Sequence, residues 1–186
     1  MKLKILKKAF DLMGRKSIKE VSMREIASVC NVTKPALYYY FKNKDEICYE
    51  IMKSVMEQQI NSLKEYKNSN KTLKEIIFDI FEKTYKIKGQ KTLSFFLHFV
   101  DYVRSNHILK KRLVYFKKEN DKQLIDILER EVNRGTISKD KIKLGFHLLQ
   151  ACVNHVVFIS NKMDKNSVID MAQAILVAIG YKEDKI

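Results

Sequence analysis

The sequence has few of the residues that interrupt helices. It contains one proline and five glycines in 186 residues, and its apolar residues recur at spacings of three and four. Strict alternation of apolar and polar residues, the pattern of a half-buried strand, is missing from its segments. Together these features predict an all-α protein of about nine helices.

Cysteines are also few and lie far apart in the chain. Cys30, Cys48 and Cys152 are odd in number, form no CxxC or zinc spacing, and sit in apolar helical patterns. They are therefore expected to be buried free thiols in a reducing compartment, not a disulfide framework. The histidines at 98, 107, 147 and 155 include no i, i+4 pair and no nearby cysteine or carboxylate at ligand spacing. We expect neither a metal site nor a cofactor.

Long apolar runs are missing as well. The most apolar segment, residues 144–160, is interrupted by His147, Gln150, Asn154 and His155, which argues against a membrane span. The N-terminus has lysines at positions 2, 4, 7 and 8 and lacks the features of a signal peptide. A cytoplasmic protein without membrane contact is expected.

Motifs of catalysis lack supporting context. We find no phosphate-binding glycine loop and no carboxylate pair or Cys-His arrangement that would define a reaction centre. The 36 basic residues exceed the 22 acidic ones to give a net charge of +14. Such an excess favours polyanionic partners without locating the site on the chain. We therefore expect a binding protein and not an enzyme.

Residues 22–41 have the pattern of two short helices joined by a tight turn. Ser22 is a good N-cap for the first helix, and Asn31 tolerates the left-handed conformation that such a turn needs. Thr33 can cap the second helix, whose first turn accommodates the single proline, Pro35. Leu37 and Phe41 lie one turn apart and can anchor that helix, whereas the three tyrosines at 38–40 cannot all be buried.

A long helix of about 44–66 is predicted to follow, opened by Asn43 and Glu46 in an arrangement like a capping box. The polar stretch 67–71 then has the composition of a linker. Further helices are predicted at 72–88, 92–104, 106–134, 139–161 and 166–180, with Gly89, Gly135 and Gly180 near their ends. We interpret residues 1–47 as one domain and 48–186 as a second, larger one.

The N-terminal segment resembles the TetR family of transcriptional regulators. The resemblance runs through Met23-Arg24-Glu25-Ile26-Ala27, Val32-Thr33-Lys34 and Leu37-Tyr38-Tyr39-Tyr40-Phe41-Lys42-Asn43-Lys44, about a quarter of the chain. Asn31 stands where the family usually has glycine, and Tyr40 where histidine is common. The resemblance implies an all-α fold with an N-terminal helix-turn-helix domain and a larger C-terminal ligand-binding and dimerisation domain.

The same resemblance implies roles for individual residues. Base edges or the adjoining backbone would be contacted by Thr33, Lys34, Pro35, Ala36 and Tyr39. Phosphates would be held by Arg24, Tyr38, Tyr40 and Lys44. The implied partner is double-stranded DNA with a near-palindromic operator, bound by a homodimer formed through the last two helices. The implied function is that of a transcriptional regulator, a repressor that a small-molecule effector releases from its operator.

The C-terminal half offers candidates for the effector site. A polar stripe of Lys143, His147, Gln150 and Asn154 either faces solvent or lines a pocket. Aromatic residues recur on three preceding helices, and most would be core, but with His98 among them they could enclose a small lipophilic or aromatic effector. The candidate effector-binding residues are His98, Phe99, Tyr102, Tyr115, His147, Gln150 and Asn154. The alternative is a C-terminal half that docks a protein partner and has no small-molecule pocket.

Overall fold

The computed structural model of the chain describes residues 1–87, 91–158 and 164–183. Within these residues the protein consists of nine α-helices, one 3-10 turn and no strand, which confirms the all-α prediction. The helices are α1 (Lys2–Met13), α2 (Met23–Cys30), α3 (Lys34–Tyr40), α4 (Lys44–Asn68), α5 (Leu73–Ile87), α6 (Lys91–Arg104), α7 (His107–Asn133), α8 (Ile142–Phe158) and α9 (Lys165–Ala178), with the 3-10 turn at Lys139–Lys141.

Two predicted helices, over 44–66 and 139–161, differ from the structure at one end or both. Helix α4 continues to Asn68, so part of the predicted 67–71 linker is helical. Arg130 stabilises these additional residues of the helix. Its guanidinium donates to the carbonyls of Tyr66 (2.7 Å) and Lys67 (3.1 Å), which have no partner within the helix because they lie at its end. The segment predicted as a helix over 139–161 begins with the 3-10 turn, and its last three residues lie outside the described ranges.

Glycines end two helices as predicted. Gly135, after α7, has φ +76°, and Gly180, after α9, has φ +64°, a left-handed conformation in which a side chain would be strained. Gly89, the third predicted end, lies outside the described residues.

The chain forms two compact units, each made of two segments. The first unit comprises Met1–Gln58 and Gly89–Lys117, so it contains α1–α3, α6 and the first parts of α4 and α7. Its core includes Ile5, Met13, Ile26, Leu37, Phe41 and Phe95, each with at most 1% of its surface exposed. Helix α6 packs on α1 through Phe95, whose ring centroid lies 4.9 Å from that of Phe10. This packing places α6 beside the N-terminal helices.

The second unit comprises Gln59–Lys88 and Lys118–Ile186. Its core joins α5, α7, α8 and α9 around buried residues that include Ile77, Phe81, Leu128, Leu149 and Ile175. Helix α8 passes close to its neighbours at Gly145, where an added Cβ would lie 3.3 Å from Ile179 and 3.4 Å from Leu128. In the part of the chain that the structure describes, no helix is both long and apolar enough to span a membrane.

A buried charge cluster fastens the end of α7 to the loop after α4. Glu131 is fully buried and accepts hydrogen bonds from Arg130 Nε (2.9 Å) and Thr136 Oγ1 (2.8 Å). The Arg130 guanidinium in turn donates to main-chain carbonyls of residues 66–71. A buried carboxylate with this many donors holds the arginine in place, and the arginine holds the loop.

Candidate DNA-binding site

Local hydrogen bonds determine where α2 begins and ends. The Ser22 hydroxyl accepts from the Glu25 amide (3.2 Å) and the Glu25 carboxylate accepts from the Ser22 amide (2.8 Å), so the two residues form a capping box. Lys16 also donates to that carboxylate, and this contact together with Ser22 lowers the pKa of Glu25 to about 2. At the other end Asn31 adopts φ 55° and ψ 50°, which confirms the predicted left-handed turn.

Helix α3 starts three residues later, at Lys34. Thr33 caps it by accepting from the Ala36 amide (3.3 Å), and Pro35 lies in the first turn, where its missing N–H leaves no intrahelical bond unmade. Leu37 and Phe41 are buried to 0% and 1% exposure, and Ala27 of α2 to 4%, so the two helices share one small core. The predicted helix-turn-helix is therefore present with its predicted caps and anchors.

The remaining surface of α3 carries aromatic side chains into solvent. Tyr39 is 84% exposed, Tyr38 is 43% exposed and Tyr40 is half-buried. The Tyr39 and Tyr40 rings meet edge to face with centroids 5.1 Å apart, and the Lys34 ammonium lies 5.8 Å from the centroid of Tyr38. Tyr38 and Tyr39 are thus exposed on α3, while Leu37 lies in the core.

The other predicted DNA-binding residues divide by exposure. Arg24 on α2 is exposed, and so are Thr33, Lys34 and Pro35 at the start of α3, while Ala36 is half-buried. Lys44 differs from them. Its ammonium donates to three main-chain carbonyls in the segment between α1 and α2, those of Ile18 (2.6 Å), Lys19 (3.1 Å) and Val21 (2.8 Å). Because an ammonium has three protons, this set of acceptors fully engages it.

The start of α4 is capped by a variant of the predicted box. Asn43 Oδ1 accepts from the Glu46 amide (2.9 Å), as expected, but the Glu46 carboxylate accepts from the amide of Lys42 (2.7 Å). A box would have it accept from Asn43 instead. The carboxylate thus ties α4 to the link that leaves α3.

A second anchor on the same turn joins residues that are far apart in the sequence. Asp45 accepts a hydrogen bond from the hydroxyl of Tyr102, near the end of α6, and another from Asn106 Nδ2 (2.9 Å). Burial, followed by the hydrogen bond to Asp45, raises the pKa of Tyr102, which keeps the phenol protonated and donating. Asp45 is 57 residues from Tyr102 and 61 from Asn106, so no local pattern could have indicated the contact.

The candidate effector residues fall into both units. In the first unit His98 Nδ1 lies 2.8 Å from the carbonyl of Met13, Phe99 is buried and stacks on Phe95 at 5.8 Å, and Tyr115 is 67% exposed. Tyr102, also in that unit, donates a hydrogen bond to Asp45.

The other three candidates lie in the second unit. His147 and Asn154 are exposed, and Gln150 is half-buried and donates to Asp121 Oδ1 (2.7 Å). Over the described ranges, no three His, Cys, Asp or Glu residues are grouped to hold a metal ion.

An anchored helix-turn-helix with an exposed second helix defines a DNA-binding protein of the helix-turn-helix class. Residues 5–51 match the family model described as bacterial regulatory proteins, tetR family. The N-terminal domain is thus that of the TetR family, which confirms the resemblance seen in the sequence. No curated protein matches the chain at a significant level.

Solved structures extend the likeness to the whole chain. GusR of Salmonella enterica is similar with a TM-score of 0.81 and 14% identity, over 96% of this chain and 94% of that one. The TetR-family regulator PfmR of Thermus thermophilus is similar with a TM-score of 0.73 and 17% identity, over 97% and 96%. FadR of Bacillus subtilis, solved in complex with stearoyl-CoA, is similar with a TM-score of 0.72 and 20% identity, over 97% and 99%. The chain has the fold of a TetR-family transcriptional regulator.

Proposed function

We propose that the protein is a homodimeric transcriptional repressor that binds a near-palindromic operator and releases it when a small effector binds. The exposed face of α3 supports this function most directly. Tyr39 is 84% exposed on a helix that Leu37 and Phe41 anchor at 0% and 1% exposure, so its ring is open to contact with DNA while the helix is held by the core. In this proposal residues 1–47 bind DNA and residues 48–186 bind the effector and form the dimer.

The assignment of phosphate and base contacts rests on chemistry and exposure. Arg24, an exposed and permanently charged side chain, would neutralise a phosphate. Tyr39, Lys34, Pro35 and Thr33 lie at exposed positions on or beside α3, where apolar and hydrogen-bonding groups can reach base edges. Tyr38 and Tyr40 would donate to phosphate oxygens, and Ala36 would contact a thymine methyl.

The test begins with selecting an operator from random-sequence duplex DNA with the wild-type protein. Tyr39→Ala should then weaken operator binding by about tenfold or more, since a good base contact contributes about 1–3 kcal/mol. The matched control is Tyr115→Ala, which removes another exposed tyrosine, on α7. Equal affinity of the two variants for the operator, or the absence of any selected operator, would contradict the proposal.

Salt dependence tests the phosphate contacts separately. Arg24→Ala should flatten the slope of log K against log salt by about one unit, because one fewer counterion is released on binding. Lys122→Ala, an exposed cation on the second half of α7, should leave the slope unchanged. A slope that both changes alter equally would show that general charge, and not a contact at Arg24, governs the effect.

The proposed dimer uses the outer faces of the last two helices. On α9 the exposed residues Asp170, Gln173, Ala174, Val177 and Ala178 recur at helical spacing, and Val177 is 80% exposed. On α8 the exposed residues Leu144, His147, Ala151 and Asn154 form a comparable face. The alanines on these faces, together with Leu144 and Val177, allow close packing against a second copy in a four-helix interface. A dimer would place two recognition helices about 34–36 Å apart.

Val177→Asp tests that interface by placing a charge at its centre. We expect the variant to elute as a monomer in size-exclusion chromatography with light scattering, and to lose most of its operator affinity. Val114→Asp is the control, because Val114 is 41% exposed on the part of α7 that belongs to the first unit. A dimer that survives Val177→Asp would place the interface elsewhere.

A lipophilic or aromatic effector is proposed for the C-terminal half. Support comes from FadR, a structural relative that binds stearoyl-CoA, and from the aromatic content of the second unit's core. Native mass spectrometry and solvent extraction of the purified dimer would detect a co-purified acyl or aromatic compound. The seven candidate residues remain a prediction. Absence of any such compound, together with operator binding that fatty acyl-CoA does not change, would favour the alternative in which this half docks a protein partner.

A further inference from the structure

The corner between α6 and α7 holds the first turn of α4. Tyr102 and Asn106 both donate to the Asp45 carboxylate, one hydrogen bond to each oxygen. Asn106 is itself fixed, since its Oδ1 accepts from the Leu109 amide (2.9 Å) and caps α7 while its Nδ2 reaches Asp45. The Asp45 carboxylate thus accepts hydrogen bonds from two donors, one near the end of α6 and one at the start of α7.

The neighbouring residue extends this grip to the segment between α1 and α2. Lys44 donates to the carbonyls of Ile18, Lys19 and Val21, and its ammonium also lies 5.3 Å from the ring centroid of Tyr102. On the surface, Lys19 pairs with Asp101 of α6 at 2.8 Å. Hence α6, the start of α4 and the segment before α2 are joined by charged hydrogen bonds within the first unit.

This network bears on the recognition helix through a short connection. Helix α3 ends at Tyr40 and α4 begins at Lys44, so only Phe41, Lys42 and Asn43 separate them. Phe41 is buried, and the Lys42 amide donates to Glu46 of α4 (2.7 Å). Because the connection has only three residues and is hydrogen-bonded to α4, a displacement of the start of α4 also moves α3.

We propose that Lys44, Asp45, Tyr102 and Asn106 form a latch that sets the orientation of the recognition helix, and that Lys44 is a positioning residue whose ammonium binds main-chain carbonyls and not a DNA phosphate. The proposal rests on the DNA-binding function proposed above. Withdrawing the Lys44 ammonium to reach a phosphate would leave three carbonyls without this donor.

The test compares Tyr102→Phe and Lys44→Met with the wild type on the selected operator and on a scrambled duplex of the same length. Both variants keep the bulk of the side chain and remove its polar end. The operator affinity should fall about tenfold for Tyr102→Phe, which loses one hydrogen bond to a charged group, and by at least that factor for Lys44→Met, which loses three. Affinity for the scrambled duplex should change less than twofold. The control is Tyr49→Phe, which removes the hydroxyl of another tyrosine of the first unit and keeps the ring that the Arg112 guanidinium contacts at 3.6 Å; it should behave as wild type.

The ratio of the affinity for the operator to the affinity for the scrambled duplex distinguishes an effect on the position of α3 from a loss of folded protein. A change that only reduced the folded fraction would weaken binding to both duplexes by the same factor, and this result would overturn the latch. Circular dichroism at the assay temperature verifies that each variant is folded. If Lys44→Met does not fold, Lys44→Arg and Tyr102→Phe still decide the matter, because one guanidinium cannot reproduce the three-carbonyl geometry of an ammonium.

The salt slope decides the role of Lys44. A positioning role leaves the slope of Lys44→Met equal to that of the wild type, whereas loss of a phosphate contact flattens it by about one unit, as expected for Arg24→Ala. In a double-mutant cycle, Tyr102→Phe and Lys44→Met should lose less together than the product of their separate losses. An operator bound equally well by wild type and Tyr102→Phe overturns the latch alone, and failure of the wild type to select any operator overturns the proposed function as well.

Discussion

Replacing Glu131 with Gln tests the buried charge cluster at the end of α7. The carboxylate is 0% exposed and lies 2.7 Å from Arg130 Nη2 and 3.2 Å from Arg134 Nη1. Gln keeps the volume and can still accept from Thr136, but it removes the charge that neutralises the two guanidinium groups. The substitution therefore leaves positive charge beside a buried amide.

The structure gives the magnitude of the effect. Breaking a buried ion pair by removing one partner costs about 3–5 kcal/mol. The side chain of Arg130 is 15% exposed and that of Arg134 is 32% exposed, so water can partly replace the lost carboxylate. We therefore expect Glu131→Gln to lower the free energy of unfolding by about 2–3 kcal/mol, or the melting temperature by about 5–10 °C for a chain of this size.

Urea unfolding followed by circular dichroism suits the measurement, because the chain has no tryptophan. Protein concentration must be equal in every experiment, since the stability of the proposed dimer would depend on it. Glu129→Gln is the matched control: it makes the same change on an exposed position of α7 and should stay within about 0.5 kcal/mol of wild type. Two equal losses would refute the reasoning that burial and the arginine contacts set the cost.

Three further predictions concern single residues. Asn31→Ala should have a free energy of unfolding about 1 kcal/mol lower than that of Asn31→Gly, because Asn31 has φ 55° and alanine, unlike glycine, is strained there. Equal urea midpoints for the two variants would contradict this. Glu25 has a pKa lowered from 4.5 to about 2, so it stabilises the fold above about pH 4.5 and the contribution is lost as pH falls towards 2. The melting temperatures of Glu25→Gln and wild type should therefore differ at pH 6 and converge at about pH 2, and a constant difference would argue against it. Ile77→Val should cost about 1 kcal/mol in urea unfolding, since Ile77 is 0% exposed, whereas Ile108→Val at 76% exposure should cost almost nothing.

Local chemistry explains how much of the helix-turn-helix could be predicted. Each local feature depends on residues within about four positions. These features are the caps at Ser22 and Thr33, the left-handed conformation of Asn31, and Pro35 in the first turn of α3. The apolar spacing of Leu37 and Phe41 likewise required only the helical period. These features follow from the sequence because both partners in each interaction lie in the same short stretch.

Predictions failed where a distant residue supplied the partner. The end of α4 was expected before residue 67, but Arg130 pairs with its last carbonyls and the helix reaches Asn68. The Glu46 carboxylate was expected to complete a box with Asn43, and it instead accepts from Lys42. A propensity or motif cannot anticipate competition between alternative partners of similar energy.

The sequence by itself determined an all-α chain, the position and caps of its helix-turn-helix, and the face of α3 that cannot be buried, because these depend on neighbouring residues and on the helical period. Tertiary structure alone decided that Asp45 meets Tyr102 and Asn106, 57 and 61 residues away, and that the Lys44 ammonium turns inward to three carbonyls. A charged side chain near the start of a helix can form hydrogen bonds with several alternative partners. Only the tertiary packing brings the carbonyls of the segment between α1 and α2 to Lys44, and Tyr102 and Asn106 to Asp45.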